Sequence, residues 1–557
     1  MNSEDIQFTI SDQLFFETLL MEIRGKTISY STYIKKMTNS EEKKLIEALE
    51  ELWKINEHSE ENLKEINRIN EDLEKIRSKR MEGVAIRARV RWIDKGEKAT
   101  NYFCNLENRN YTNRTVSFLE KQTGETIYKQ EDILKEVTNF YSNLYKEKPV
   151  QNVNLDDTIK EAPKLKPDEI GKLEGPITYQ EAAKVLKNMK NNKSPGPDGF
   201  TVEFFKMFFR YIGQFYIRSI NEGYLKEKLS VTQYQGVITC IPKEGKPKQY
   251  VKNWRPISLL NVSYKILSAS IASRIQSVLP NIIHESQKGF MKNRYIGECI
   301  RMLYDVLVHS EQENIPGLLL MIDFEKAFDS VSWNFIEKSL TFFRFPPSTI
   351  TWFKIMYNGA NSCVSFNGQY SEWFGVRRGC RQGDPVSPYF YLICAEILSL
   401  MIRNNTNIKG IKLKELEALI SLFADDTTLY LDGSEKSFKE AIKTLDEFAA
   451  MSGLNINNDK TQIVWIGATK NNEIKYMRDR NYIWNPGTFK VLGITFSKRI
   501  NTIVDINYQG KIEEIKRIIF QWNKRQLTPI GKVTIIKTLI ASKLTYLLTY
   551  LTLLANF

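Results

Sequence analysis

The sequence predicts an α+β chain: helical near its N-terminus, mixed strands and helices through its body, and helical again at its end. Three observations predict it. Residues from about 41 to 80 carry leucines and isoleucines at helical spacing among Glu, Lys and Asn. The run Leu318 to Ile322, "LLLMI", is continuously apolar, as a strand buried on both faces is. "ISLFADDTTLYLD", Ile420 to Asp432, reads as strand, tight turn, strand.

Composition narrows the classes. With 42% hydrophobic and 26% charged residues the chain has enough apolar material for a folded core, which excludes a disordered polyelectrolyte. Its net charge of +13 is spread along the chain and favours an anionic partner, a polyphosphate above all. The six cysteines contain no C-x-x-C pair, so no zinc knuckle or thioredoxin-like motif is visible, and the spread fits reduced thiols in an intracellular protein. Three histidines leave little material for catalysis built on several of them. "MNSEDIQF" has neither the basic nor the apolar region of a signal peptide. The apolar tail after Lys543, about 14 residues, is too short to span a bilayer, and no membrane partner is expected. "RGKT" at 24–27 is no P-loop, because Leu20 stands where the first glycine is required.

The elements follow in order. In the first helical region Leu49, Leu52, Leu63, Ile66 and Leu73 fall at a/d-like spacing, but Asn56, Ser59 and Asn70 interrupt the seam. That predicts a long helix or helical hairpin packed on its own domain rather than a dimer zipper. Next, Arg87, Arg89 and Arg91 alternate with apolar residues beside Trp92. Cations next to an aromatic suit phosphate contact and base stacking, or a solvated helix face. Residues 146–169 are polar with Pro and read as a linker. A helix starts near Thr178, a Pro/Gly turn at Ser194–Gly199 breaks it, and a second apolar helix follows. Gly236 to Trp254 reads strand, basic turn, strand, and "RPISLLNVSYKILSASIASRI" returns to helix. Strands and helices then alternate to about 500, before a basic helical segment.

Three carboxylates carry the chemistry. Asp323 ends the buried run, a usual place for a catalytic acid; taken alone, Asp323 or Asp329 reads as a helix N-cap. Asp425 and Asp426 sit side by side where a strand should bury Phe and Leu. At a turn both can reach one space, and beside Asp323 the group would be mutually repulsive. A hard divalent cation resolves the repulsion, and two such ions serve polymerases and nucleases. Three further stretches fit nucleotidyl transfer. They are the basic, Gly-rich turn of "GVRRGCRQGDPVSP", the hairpin cations Lys243, Lys246, Lys248 and Arg255, and Lys460 in a polar loop before a strand.

"IDFEKAFDSVSW", "RRGCRQGDPVSP" and "LFADDTTLY", in this order and spacing, resemble the core motifs of reverse transcriptases. "FADD", with "KSPGPDGFTVEFFK", "NWRPISLLNVSYKILS" and "HESQKGFMKNRYIGECI" ahead of it, resembles the non-LTR retrotransposon (LINE-type) branch. "RWIDKGEKATNYFCNLENR" is similar to the segment before that branch's fingers, and "LTPIGKVTIIKTLIASKLTY" to its thumb. The resemblance implies a right-hand polymerase: fingers, a palm with an antiparallel sheet and helices, and a helical thumb, preceded by a helical N-terminal extension. It implies an RNA-directed DNA polymerase acting on template RNA, primer DNA and dNTPs with two Mg²⁺ ions, Mn²⁺ as substitute. Asp323, Asp425 and Asp426 would hold the ions. Phe324 would adjoin the triphosphate by its backbone, and Phe328 would be the steric gate against a ribose 2′-OH. Gln382 and Gly383 would line the dNTP and template, and Arg255 and Lys243 would hold the triphosphate. Lys460 would be the general acid, and "FKVLGITFS" would grip the primer. Nucleic-acid contacts are expected at Arg87, Arg89, Arg91, Trp92, Arg378 and Arg381.

The expected organisation is a helical extension with a basic RNA-binding segment over 1–145 and a linker over 146–175. Fingers with part of the palm follow over 176–315, the palm over 316–500 and a shortened thumb over 501–557. About 80 residues precede "IRARVRW", so a partial reading frame lacking the branch's endonuclease domain and C-terminal Cys/His cluster is expected. A catalytically weak or inactive RNA-binding remnant of such an element and an intron-encoded, maturase-type enzyme are the alternatives. The resemblance implies an intracellular protein of cytoplasmic ribonucleoprotein and nucleus.

Overall fold

The computed structural model describes residues 10–55, 59–88, 112, 115–121, 123–524 and 527–551. The chain is α+β. Helices α1 (Asp12–Trp53) and α2 (Glu60–Ala88) form a hairpin, tied by the Arg80 guanidinium to Glu42 at 2.6 Å and Asn39 at 2.9 Å. Ile66, Ile69 and Leu73 are buried, whereas Leu63 of the predicted seam stays exposed. The base of α1 is anchored to the body, where Phe16 meets Tyr216 and Asp12 pairs with Arg218.

The body begins with α3 (Gln130–Leu144), α4 (Tyr179–Asn188) and α5 (Val202–Leu225). α4 starts where a Thr178–Glu181 capping box satisfies its first amides. Strands β1 (Gln235–Pro242) and β2 (Trp254–Leu260) pair antiparallel, with Ile241 opposite Arg255. The second strand therefore begins at Trp254 rather than ending there, and "RPISLL" is strand, not helix. Its burial alternates residue by residue, and it lies at a sheet edge, where Pro256 withholds a donor the ladder does not need. Helix follows only at α6 (Val262–Val278) and α7 (Ile296–Gln312).

Strand β3 (Gly317–Ile322) is buried at all six residues. After it come α8 (Ala327–Ser330), α9 (Trp333–Phe342), α10 (Pro347–Tyr357), β4 (Asn361–Phe366) and α11 (Ser387–Asn404). β5 (Ile420–Phe423), β6 (Asp426–Leu431), α12 (Glu435–Ser452) and β7 (Gln462–Ile466) complete the centre, with β8 (Ile483–Trp484) at its margin. The central sheet has the order β5-β6-β3-β7-β8, with β6 and β7 both antiparallel to β3.

Period-2 alternation explains the apolar run. Leu318, Leu320 and Ile322 face the large core with α11 and α12, while Leu319 and Met321 face a second core with α7. Leu320→Ala is expected to destabilise the fold by about 2–5 kcal/mol, read as a lowered urea midpoint; an unchanged midpoint would contradict two-sided burial. The second core also receives hairpin β9 (Thr488–Val491) with β10 (Ile494–Ser497), and α13 (Ile503–Asn523). Helix α14 (Pro529–Ile535) continues through a wider-wound turn into α15 (Ser542–Tyr550), which packs there through Leu547.

The stretch expected to be a free linker is packed down. Leu155, Ile159, Leu165 and Leu173 join the large core, and the Leu165 amide donates to the Phe343 carbonyl at 3.1 Å. Sparse apolar residues among Lys and Pro hid that anchoring. The five described cysteines are buried and unpaired, and among the described residues no helix is long and apolar enough to cross a membrane.

Candidate active site

Two backbone constraints put the carboxylates together. Asp323 leaves β3 with its amide donating to Thr461 Oγ1 at 3.3 Å and its carbonyl accepting from Asn457 at 2.7 Å. Next door, Phe423 pairs with Asp426 across a two-residue turn, and Ala424 takes the left-handed φ of 59° that the turn demands. Thr427 stands opposite Ile322, so the strand ends bearing Asp426 and Asp323 are neighbours.

Crowding shows in the electrostatics. Burial by the surrounding walls, then Asp425 and Asp323, push the Asp426 carboxyl up to about 6, although its side chain still meets solvent. Asp425 is raised by burial and by Asp323, against its own backbone hydrogen bond and Arg255. Lys460 Nζ lies 3.1 Å from Asp323 Oδ2, a half-exposed pair of small energetic worth. Among the described residues no three acidic, His or Cys groups form a ready-made cage. An all-oxygen set of a few repelling carboxylates nonetheless fits Mg²⁺, which takes one or two carboxylates and completes its shell with waters and phosphates.

Asp323 and Asp425 border a cleft of about 1760 Å³, larger than a usual small-molecule pocket. Phe324, Phe328, Gln382, Gly383, Lys243, Arg255 and Lys460 also line it. Lys243 is pushed down by burial and then by Lys460 and Arg255, so three cations share one wall. Phe324 is buried and bridges Ile456 through its backbone. Phe328 stacks on Tyr391, centroids 4.4 Å apart, and meets Phe290 edge-on at 6.0 Å. Gly383 is required twice: its φ is 110°, and a Cβ would lie 2.8 Å from the Ser258 carbonyl.

Two expected nucleic-acid contacts are corrected. Arg381 is 2% exposed, with its guanidinium over the rings of Tyr264 at 4.5 Å and Tyr357 at 5.5 Å. Arg378 is 6% exposed and donates from Nε to the Leu144 carbonyl at 2.7 Å. Both border the cleft but turn their charge inward, so they brace the loop. A basic turn looks the same in sequence whichever way its cations point. Arg87 belongs to the last turn of α2; Arg89, Arg91 and Trp92 lie outside the described residues.

Sequence reasoning also missed a buried network. Asp329 is no N-cap: it sits inside α8, accepting from Tyr145 OH at 2.8 Å and from Gln382 Nε2 at 3.2 Å. Burial pushes its carboxyl up to about 6, against Tyr145 and Lys326. Only tertiary folding brings Tyr145 there. The fold thus favours the neutral acid, and this stabilisation is complete below about 3.8 and is lost as pH rises through about 6. Asp329→Asn cannot ionise. Its stability relative to wild type is expected to grow by about 2 kcal/mol from pH 4 to 7, read by urea unfolding at each pH. A flat difference would refute the shift.

Residues 241–496 match the family model described as reverse transcriptase (RNA-dependent DNA polymerase). The chain is 27% identical over 482 residues to a Xenopus laevis protein named transposon TX1 uncharacterized 149 kDa protein, covering 86% of this chain and 36% of that protein. It is 25% identical over 297 residues to the Popillia japonica retrovirus-related Pol polyprotein from type-1 retrotransposable element R2, covering 53% and 40%. It is 24% identical over 387 residues to the Drosophila melanogaster probable RNA-directed DNA polymerase from transposon X-element, covering 67% and 41%. The chain therefore spans well under half the length of these relatives.

Proposed function

We propose, from the match of residues 241–496 to the reverse transcriptase family model, that the chain is the RNA-directed DNA polymerase of a non-LTR retrotransposon. It extends a DNA primer on an RNA template with dNTPs. One observation carries the reading: Asp323 meets the Asp425–Asp426 turn at a cleft walled by Lys243, Arg255 and Lys460. The central sheet serves as palm, residues 176–315 as fingers with part of the palm, and the helices after 501 as thumb. Copying RNA at chromosomal DNA places the protein in a ribonucleoprotein that reaches the nucleus.

Asp323, Asp425 and Asp426 would hold two divalent cations, Mg²⁺ by the all-oxygen donor set and Mn²⁺ as substitute. Such ions, when bound, neutralise charge on the reacting oxygens. The chain's own residues position the reactants. Lys243 and Arg255 draw in the triphosphate, beside the backbone of Phe324, and Gln382 and Gly383 line the nucleotide and template. Phe328 lies beneath the sugar. The primer 3′ oxygen loses its proton to solvent and bonds to the α-phosphorus as the bond to pyrophosphate breaks. Lys460 gives a proton to that leaving group. Most of the rate gain in this scheme is orientation and charge complementarity.

The test is primer extension by the full chain on a heteropolymeric RNA template with dNTPs and Mg²⁺. A product ladder that needs both dNTPs and cation supports the reading. Template binding without extension in Mg²⁺ or Mn²⁺ would make the chain an RNA-binding protein instead.

A further inference from the structure

The loop before α7 reaches the carboxylate turn and grips it. Leu422 donates its amide to the Ser286 carbonyl at 2.9 Å and accepts from Lys288 at 2.8 Å, so the loop makes one parallel bridge to β5 at Gln287. At that bridge Gln287 is 1% exposed. Its Oε1 accepts from the Ala424 amide at 3.0 Å and from the Gly289 amide at 2.9 Å. One side-chain oxygen therefore joins the two backbones at the residue before Asp425. Nothing in its sequence neighbourhood, "HESQKGF", marks this role.

Four further observations say that the grip is built. Ala424 holds φ 59°, a conformation costly to a residue with a Cβ, which persists only where the surroundings over-determine it. Gly289 lies so close that a Cβ there would collide with the Ala424 nitrogen and reach the Phe423 carbonyl carbon at 3.0 Å. The loop itself is held by Arg294, which donates to the carbonyls of Ile283 at 2.9 Å, His284 at 2.5 Å and Gln287 at 2.8 Å. Gln287 Nε2 meanwhile has no partner although it is buried. A buried amide left half-satisfied is unfavourable, so the acceptor oxygen is what this position supplies.

We propose that Gln287 is a positioning residue for the polymerase reaction, its Oε1 locking the Ala424 turn so that Asp425 and Asp426 face Asp323. The inference rests on the polymerase reading above. Gln287 touches no substrate; it acts by fixing where the turn stands. Outer hydrogen bonds of this kind govern how well ligands are aimed, and losing one costs about 10- to 100-fold in activity or affinity.

The test compares wild type, Gln287→Met, Gln287→Glu and Gly289→Ala in the full chain. Met keeps the shape and removes the acceptor; Glu keeps an acceptor oxygen. Single-nucleotide extension should show kcat about 10- to 100-fold lower in Gln287→Met, with KM for dNTP within about threefold of wild type. Gln287→Glu should recover part of that loss. Gly289→Ala, which removes no hydrogen-bonding group, should show the same kcat-weighted loss. Hydrogen–deuterium exchange, which needs no activity, should be faster over residues 420–426 in Gln287→Met and unchanged in distant β1. Wild-type kcat and wild-type exchange in a folded Gln287→Met variant overturn the proposal. So do equal losses in the Met and Glu variants. Should the Met variant not fold, wild-type kcat in Gly289→Ala overturns it. Absence of extension by wild type is a different failure: it sinks the polymerase reading, while exchange still reports on the grip.

Discussion

Asp425→Asn is expected to lower single-nucleotide addition by about 10²–10³-fold, the scale on which one preorganised electrostatic group matters at a reacting centre. The amide matches the carboxylate in shape and removes one charge from a site where Asp425 and Asp323 both raise Asp426. The same substitution should leave the fold as stable as wild type or more so, because it removes a carboxyl that burial and Asp323 already disfavour. Activity then falls with no loss of stability, which general unfolding cannot produce. The measurements are extension kinetics at saturating dNTP and thermal melting of the same preparation. Extension above a tenth of the wild-type rate would falsify the assignment of Asp425 to the reacting centre.

Phe328→Ala is expected to shift the preference between deoxy- and ribonucleotides by about 10²-fold toward ribonucleotides, at the upper end of what one pocket contact discriminates. The ring is held from two sides, stacked on Tyr391 and edge-on to Phe290, so it cannot swing away from an extra hydroxyl. Its carbonyl accepts from the Cys380 amide at 2.6 Å, which fixes the backbone as well. Phe328→Tyr keeps the ring and should keep the discrimination. The ratio of kcat/KM for matched dNTP and rNTP reads the effect, and an unchanged ratio in Phe328→Ala refutes the role.

Particular residues show how far the sequence was readable. Leu318 to Ile322 read as a strand covered on both faces, and two cores do cover it. Ile420 to Leu431 could only be a hairpin if its two aspartates were to stay wet, and a two-residue turn delivers both. Where polarity alone was the signal, the reading failed. The stretch around Leu165 looked like a linker because few residues anchor it, and "WRPISLL" looked helical in part because Pro256 argues against a strand except at an edge.

The sequence by itself determined which chemistry the chain can carry: three carboxylates, an aromatic at a fixed distance from the first, and a basic turn ahead of the other two. These are local matters of residue type and spacing. Only the tertiary structure decided where charge points and what holds the turn. Arg378 and Arg381 turn inward onto a carbonyl and two rings, Tyr145 comes from far along the chain to bond Asp329, and Gln287 crosses to the Ala424 amide. Those outcomes depend on which surfaces meet when the core closes, and on which neighbour is there to satisfy a polar atom as it is buried. Both are properties of residues distant in sequence and adjacent in space.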